Sequence, residues 1–173
     1  MDPQFHLVSL QIESILRDGG YWYQRFVHEP VRTSEEAARV RPEYTQHQGA
    51  KSLIAHARAV TSDPLCDKRF IMLVVPGDMQ FDKKKVRSEL KFDDVRFATE
   101  VEVARITGGV LPGGVPPFGH LFGLPVFVDE SVFTNEIIIF NAGDRRVSIG
   151  MKSLDFRAIV APQIAHFAKP IPT

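Results

Sequence analysis

The stretch GGVLPGGVPPFGHLFGLPVFVD, residues 108–129, decides the fold, because neither a helix nor a central strand can run through its first half. Five glycines and three prolines lie within the thirteen residues Gly108–His120. Proline removes a backbone donor and glycine allows positive φ, so this segment is predicted to be a shaped loop. Successive free N–H groups in such a loop can bind an anion or a developing oxyanion. A purely structural Ω-loop is the alternative interpretation.

Two polar side chains at the exit of this loop favour a functional role. His120 follows the glycine-proline segment, and Asp129 ends the apolar run Leu124–Val128, which predicts a strand. An imidazole can donate or accept a hydrogen bond and exchange a proton, and a carboxylate can hold a cation. Each residue also has a structural alternative. Asp129 ends a strand or caps a turn, and His120 is a satisfied loop histidine.

The composition predicts a globular protein with a single domain over residues 1–173. Hydrophobic residues make up 44% of the chain and charged residues 24%, and Lys plus Arg equals Asp plus Glu at 21 each. No global basic excess points to DNA, so an RNA partner must be held by its end or by a local patch. No apolar run approaches the ~20 residues that span a membrane.

The single cysteine, Cys66, excludes an internal disulfide and fits a reducing compartment. The amino terminus lacks the basic and then apolar pattern of a signal peptide, so a cytoplasmic protein is predicted. The six histidines show no familiar zinc spacing, and neither a metal nor another cofactor is predicted.

Periodicity, capping residues and turn residues predict helices alternating loosely with strands. An amphipathic helix from Phe5 to Leu16 ends at Gly19-Gly20, and capping boxes at Thr33–Glu36 and Thr99–Glu102 open two further helices. Asp82 and Ser153 are predicted to cap helices over 83–90 and 154–160, and the proline-rich carboxyl end to trail off. Strands are predicted over 21–27, within 46–56, over 70–75 (buried on both faces), 95–97, 124–128, 136–140 and 147–149, the last two as a hairpin, with a loop over 61–67.

These elements predict an α/β fold with a curved, mixed, barrel-like β-sheet and helices packed outside it. Lys51 lies where the run 49–55 becomes apolar, so its side chain is expected to emerge beside buried surface. An ordinary solvated lysine is the alternative.

The assembled motifs resemble the YbaK/ProX family of aminoacyl-tRNA deacylases, a domain also inserted in bacterial prolyl-tRNA synthetases. The resemblance covers nearly the whole chain. It rests on Lys51 at the start of an apolar strand and on four segments, namely His28-Glu29-Pro30-Val31 leading into Thr33-Ser34-Glu35-Glu36-Ala37, Leu73–Asp78, Gly109–His120 with its paired glycines, and Val128-Asp129-Glu130 with Ala142-Gly143 further on.

The resemblance implies hydrolysis of the ester that joins a wrongly attached small amino acid to the 3′ end of a tRNA. An aminoacyl ester is already activated, so position, an oxyanion site and a water or substrate hydroxyl suffice. In this hypothesis Lys51 binds the terminal phosphate or the carbonyl region, and N–H groups around Gly113 and Gly114 polarise the carbonyl. His120 holds the ribose hydroxyl or a water, and Asp129 holds the ammonium group of the substrate or orients Lys51. Substrate contacts are assigned to Ser52, Val115, Pro117, Phe118, Gly119 and Gly143.

Two other classes of function stay open. A non-catalytic sensor would bind the aminoacyl-tRNA end without turnover, and Lys51 would then serve binding alone. An adaptor would act only when docked on an aminoacyl-tRNA synthetase, through the basic face Lys83–Arg87. The presence of the lysine, the loop and the aspartate together favours the hydrolase.

Overall fold

The structure is a computed structural model that describes residues 4–59 and 68–172. Within them the chain is an α/β fold, as predicted from the sequence. Cys66 and the predicted loop over 61–67 lie outside the described residues.

The described elements follow the predicted order closely. The helices are α1 (Leu7–Asp18), α2 (Ser34–Val40), α3 (Lys83–Leu90), α4 (Glu100–Thr107) and α5 (Ser153–Val160). The strands are β1 (Tyr23–Val27), β2 (Ala50–Ala59), β3 (Lys68–Pro76), β4 (Met79–Phe81), β5 (Phe92–Phe97), β6 (Val126–Asp129), β7 (Ile137–Asn141), β8 (Val147–Lys152), β9 (Gln163–Ala165) and β10 (Ala168–Pro170). Short 3-10 turns span Gln46–Gln48, Gly119–Phe122 and Glu130–Thr134.

The strands form a mixed five-stranded sheet in the order β5-β2-β3-β6-β9, an antiparallel three-stranded sheet β1-β8-β7, and the pair β10-β4. An isolated bridge between Gly49 and Ile139 joins the start of β2 to β7. The β7-β8 hairpin confirms the predicted one. Among the described strands no sheet closes on itself, so the mixed sheet is confirmed but its barrel-like closure is not.

Strand β3 is the centre of the molecule because both of its faces are buried. Met72 and Val74 face one apolar cluster, which includes Ile12 and Leu16 of α1. Ile71, Leu73 and Val75 face a second cluster, which includes Val86 of α3. Burial on both faces explains the continuous apolar run of this strand, as predicted.

Two predictions, about the start of α5 and about the carboxyl end of the chain, are wrong. The sequence predicts that Ser153 caps α5, but the helix begins at Ser153, which is buried, and the cap position is Lys152, without a side-chain hydrogen bond. The carboxyl end does not trail off either. Strand β9 pairs with β6, and β10 pairs with β4. Phe167 and Ala168 are buried in the second apolar cluster.

The capping boxes are formed to different degrees. Thr99 and Glu102 exchange both hydrogen bonds at the start of α4. At the start of α2, Thr33 accepts from the Glu36 N–H, whereas the Glu36 carboxylate accepts from the N–H of Arg32 at 2.8 Å, one residue earlier than predicted.

Candidate active site

A cavity of about 390 Å³ opens where the start of β2 meets β7 and the glycine-proline loop. Three cationic side chains and one carboxylate are among its walls, from Arg32, Arg41, Lys51 and Glu35. The remaining wall comes from Thr33, Ser34, Ala37, Gln46, Gly49, Ala50, Ser52, Leu53, Gly77, Gly113, Val115, Ile139, Phe140, Asn141 and Ile171. Its volume suits a small organic group, and its charge favours an anion.

Lys51 enters this cavity from the second residue of β2. Its Nζ donates to the carbonyl of Met79 on β4, which leaves other ammonium protons for a ligand. Burial lowers the pKa of Lys51, and the nearby Asp78 carboxylate opposes that shift. Asp78 is itself paired with His47 Nδ1 at 2.8 Å. The expectation that this lysine emerges beside buried surface is therefore met by its position.

The glycine-proline loop is fastened to the cavity wall on both sides. Ser52 Oγ donates to the carbonyl of Val115, which ties β2 to the loop. Asn141 Nδ2 donates to the carbonyl of Gly113 at 2.7 Å, which ties β7 to it. Gly113 has φ +87°, and a Cβ there would lie 2.5 Å from the Arg32 carbonyl oxygen, so only glycine fits.

Two residues of the loop that line the cavity have unpaired backbone donors. Gly113 and Val115 line it, and neither N–H has an acceptor among the hydrogen bonds of the described residues. The Gly114 N–H is different, since it donates to the Leu111 carbonyl at 2.9 Å. Of the donors predicted around Gly113 and Gly114, the one on Gly113 is free and the one on Gly114 is engaged.

A polar network lies behind Arg41, which itself lines the cavity. Arg41, just after α2, donates from Nη1 to Ser148 Oγ at 3.2 Å, and His28 Nε2 lies 2.6 Å from the same oxygen. His28 Nδ1 faces the Glu29 carbonyl at 2.8 Å, which can only accept, so Nδ1 carries a proton. Burial lowers the pKa of His28, which favours the neutral ring. Ser148 Oγ also lies 3.3 Å from Asn141 Oδ1, so its one proton serves either that amide oxygen or His28 Nε2.

Three residues predicted to contact substrate lie in the core instead of on the cavity wall. Phe118 is fully buried against Phe140 and Phe156. Pro117 is buried beside it, and a Cβ on Gly119 would lie 2.5 Å from Val126. These three residues therefore hold the loop against the apolar core, and none of them lines the cavity.

His120 and Asp129 are also absent from the wall of this cavity. His120 is exposed, with its ring centroid 5.9 Å from that of Phe118. The Asp129 carboxylate is buried and accepts from Phe167 N–H and Ala168 N–H, each at 2.7 Å, and from the N–H and hydroxyl of Ser131. Burial alone would raise the pKa of Asp129, but these hydrogen bonds outweigh it and the pKa is lowered.

Gly143 lines a different cavity, of about 300 Å³, with His6, Asp144 and Arg146. Its N–H donates to the Gly114 carbonyl at 2.8 Å, and a Cβ on it would lie 2.8 Å from Val8. Gly143 thus supports the back of the loop, and the structure does not place it beside Lys51.

Arg41, Asn141 and Gln46 were missed by the sequence argument. Arg41 follows α2, and Asn141 ends β7. The Gly49–Ile139 bridge joins β7 to the start of β2, and the Arg41–Ser148 hydrogen bond joins Arg41 to β8, so the cavity positions of Arg41 and Asn141 depend on long-range contacts.

Within residues 4–59 and 68–172, no cluster of three or more His, Cys, Asp or Glu side chains is placed to hold a metal ion. None of the helices in the same ranges is long and apolar enough to cross a bilayer.

Comparison with known proteins identifies the domain. The model of the family described as the aminoacyl-tRNA editing domain matches residues 28–159. The chain is 26% identical over 157 residues to the multifunctional Ser/Thr-tRNA deacylase ProXp-y of Escherichia coli strain K12, and the match covers 90% of each chain.

Two other matches extend this comparison. A segment of the proline–tRNA ligase of Trichlorobacter lovleyi is 32% identical over 76 residues, which is 44% of this chain but 13% of the ligase. The crystal structure of a proposed trans-editing enzyme for prolyl tRNA synthetase superposes with a TM-score of 0.75 at 24% identity, covering 96% of this chain and 99% of the other. At that identity the superposition shows a shared fold.

Proposed function

Since the chain belongs to the aminoacyl-tRNA editing domain family, that is, the YbaK/ProX family, and its class of activity is aminoacyl-tRNA deacylation, we propose that it acts in trans on mischarged tRNA. The bond cleaved is the ester between a small amino acid and the 3′-terminal ribose, on tRNA-Pro or a related tRNA. The trans mode is supported by the match over 90% of the Escherichia coli deacylase, against a match to 13% of the synthetase. A cytoplasmic location stays a prediction of the sequence.

One observation carries this proposal, namely that Lys51 lines the same cavity as Gly113 and Val115, whose N–H groups have no acceptor among the described residues. In ester hydrolysis, a water or substrate hydroxyl adds to the carbonyl carbon, and the carbonyl oxygen gains negative charge. Preorganised N–H donors and a cation stabilise that charge. The C–O bond to the ribose then breaks, and the ribose oxygen takes the proton that the attacking hydroxyl group gives up. Where a substrate hydroxyl attacked, water opens the resulting ester in a second addition.

The remaining assigned residues divide by position. Ser52 and Gly114 hold the loop through hydrogen bonds to Val115 and Gly143. Val115 contributes both a donor and part of the apolar wall that limits the size of the amino acid, where one methylene discriminates by about 1–3 kcal/mol. His120 and Asp129 stay predicted catalytic residues without support from the cavity.

The test is amino-acid release from tRNAs charged with alanine, cysteine, serine, threonine and proline. Wild type is expected to hydrolyse one or two small amino acids, with serine and threonine tried first because the Escherichia coli relative is named for them. Lys51→Ala is expected to lower kcat/KM by about 100-fold or more, as loss of a charge-stabilising donor does. Lys152→Ala removes an exposed lysine outside the cavity and is the matched control.

Each other outcome selects an alternative. Turnover that survives Lys51→Ala contradicts the mechanism and keeps the enzyme class. Binding of charged tRNA without turnover, lost in Lys51→Ala, supports the sensor. Turnover that needs an added synthetase and is lost when Lys83, Lys84 and Arg87 are neutralised supports the adaptor.

A further inference from the structure

Arg41 is a buried cation on the wall of the cavity. The residue is 5% exposed to solvent, yet it lines the cavity that contains Lys51. It sits where α2 ends, held against the three-stranded sheet by its contact with Ser148 on β8. Burial lowers the pKa of Arg41 to about 10, so the guanidinium keeps its charge near neutral pH.

All of the acceptors that hold Arg41 are uncharged. Nε donates to the Ala37 carbonyl at 3.1 Å, and Nη1 donates to Ser148 Oγ at 3.2 Å. In the part of the chain that the structure describes, Nη2 has no acceptor and no carboxylate lies within ion-pair distance of the guanidinium. A buried charge without an opposite charge is costly, so this arrangement is one that an anionic ligand would complete.

The groups around Arg41 do not supply that negative charge. His28 is neutral and shares Ser148 with it, and Tyr44, the other titratable group that acts on Arg41, has a raised pKa and stays a phenol. Glu35 is on the same cavity wall but forms no ion pair with it in the described residues. The guanidinium fork suits a phosphate oxygen pair better than a single point acceptor.

We propose that Arg41 binds a phosphodiester oxygen of the tRNA 3′ end, while Lys51 and the loop donors bind the aminoacyl ester. The proposal rests on the proposed function and adds to it a second cationic subsite. An aminoacyl ester has an ammonium group and no free α-carboxylate, so the phosphodiester is the anion that every substrate of this class carries. The guanidinium also repels the ammonium group, so the amino-acid part of the substrate is expected to lie away from Arg41.

The experiment removes the phosphate from the substrate and the guanidinium from the protein, separately and together. The substrates are 3′-O-seryl adenosine and 3′-O-seryl cytidylyl-(3′→5′)-adenosine, which has one phosphodiester. Wild type is expected to show a kcat/KM at least about tenfold higher on the dinucleotide, the scale of one charge-assisted hydrogen bond. Arg41→Gln is expected to abolish that preference, leaving both esters close to the wild-type value for seryl adenosine.

Two further variants separate binding from folding. Arg39→Gln removes an exposed arginine of the same helix and is expected to keep the preference. Arg41→Lys keeps a charge without the fork and is expected to retain part of it. Thermal unfolding of each variant identifies any that fails to fold. A dinucleotide preference that is unchanged in folded Arg41→Gln overturns the proposal.

A binding measurement separates this inference from the proposed function. Titration calorimetry follows the binding of cytidylyl-(3′→5′)-adenosine, which carries the phosphodiester but no amino acid, to wild type and to Arg41→Gln. Weaker binding to the variant supports the phosphate subsite even when neither ester is hydrolysed, an outcome that would contradict only the proposed function. Equal binding to both proteins overturns the subsite, whatever the turnover.

Discussion

Asp129 and Arg41 are both buried charged residues, at 4% and 5% exposure, but their surroundings differ. The Asp129 carboxylate accepts four hydrogen bonds, from three backbone N–H groups and one hydroxyl. The Arg41 guanidinium donates to one carbonyl and one hydroxyl, and no described carboxylate pairs with it. The protein itself satisfies the charge of Asp129, whereas the charge of Arg41 has no counter-ion among the described residues.

The difference separates two uses of a buried charge. A carboxylate whose lone pairs are filled by backbone donors fixes chain geometry, here the turn between β9 and β10. It has little capacity left for a substrate. A cation with unused donors on a cavity costs stability in the empty protein and gains it when an anion binds. The same contrast applies to Lys51, whose ammonium has one described acceptor, the Met79 carbonyl.

The two regions are nevertheless connected through the carboxyl end of the chain. Asp129 anchors Phe167 and Ala168, and the strand β10 that follows pairs with β4. Beyond β10, Ile171 lines the cavity, and β4 contains the Met79 carbonyl that holds Lys51. Asp129 can therefore act on the site as a positioning residue.

The largest effect on stability is expected from Asp129→Asn. Both carboxylate oxygens of Asp129 accept from backbone N–H groups. The asparagine amide has only one oxygen, so in either orientation its NH₂ group faces an N–H donor. We expect the free energy of unfolding to fall by about 2–3 kcal/mol, the cost of leaving buried donors unpaired. Urea unfolding measures it. Asp18→Asn, at the exposed last residue of α1, is the control and should stay within about 0.5 kcal/mol.

Activity then distinguishes support from catalysis. A folded Asp129→Asn that keeps kcat and raises KM is consistent with a displaced β10. Loss of kcat without loss of stability would contradict the comparison and restore Asp129 as a catalytic residue.

Gly113→Ala is expected to have a smaller effect on stability, of about 2 kcal/mol, and a large one on turnover. The added Cβ meets the backbone of Arg32 at 2.5 Å, and φ is +87°, so the loop must move away from the cavity. Gly123→Ala has a similar φ of +68° but open space around its Cβ. It should cost about 1 kcal/mol and leave turnover unchanged, so equal losses of activity would show that the contact with Arg32 is unimportant.

The elements that the sequence predicted well are those with a local physical cause. The apolar run within β3 and the Thr99 capping box at the start of α4 need no tertiary information. The glycine-proline loop and the entry of Lys51 beside it were likewise visible in the chain.

The sequence could not show which polar residues are structural and which line the site. Asp129 looks catalytic because it ends a strand beside the loop. Its partners Phe167 and Ala168 come from 38 and 39 residues away, so its structural role is visible only in the fold. Arg41 looks like a solvated helix residue until β8 brings Ser148 to it from 107 residues away. Long-range pairing decides both roles.

The smallest and most direct test is the pH dependence of the Asp129→Asn effect. Because the pKa of Asp129 is lower in the folded protein, the unfolded chain binds its proton first as the pH falls. The stabilisation by Asp129 is therefore complete above the pH where a free carboxylate titrates, about 4, and is lost below it as the folded carboxyl is protonated. The gap in unfolding free energy between wild type and Asp129→Asn should be constant from pH 7 to 5 and shrink towards pH 3. A gap that stays constant down to pH 3 would mean that the charge of Asp129 contributes nothing, and its contrast with Arg41 would reduce to hydrogen-bond geometry alone.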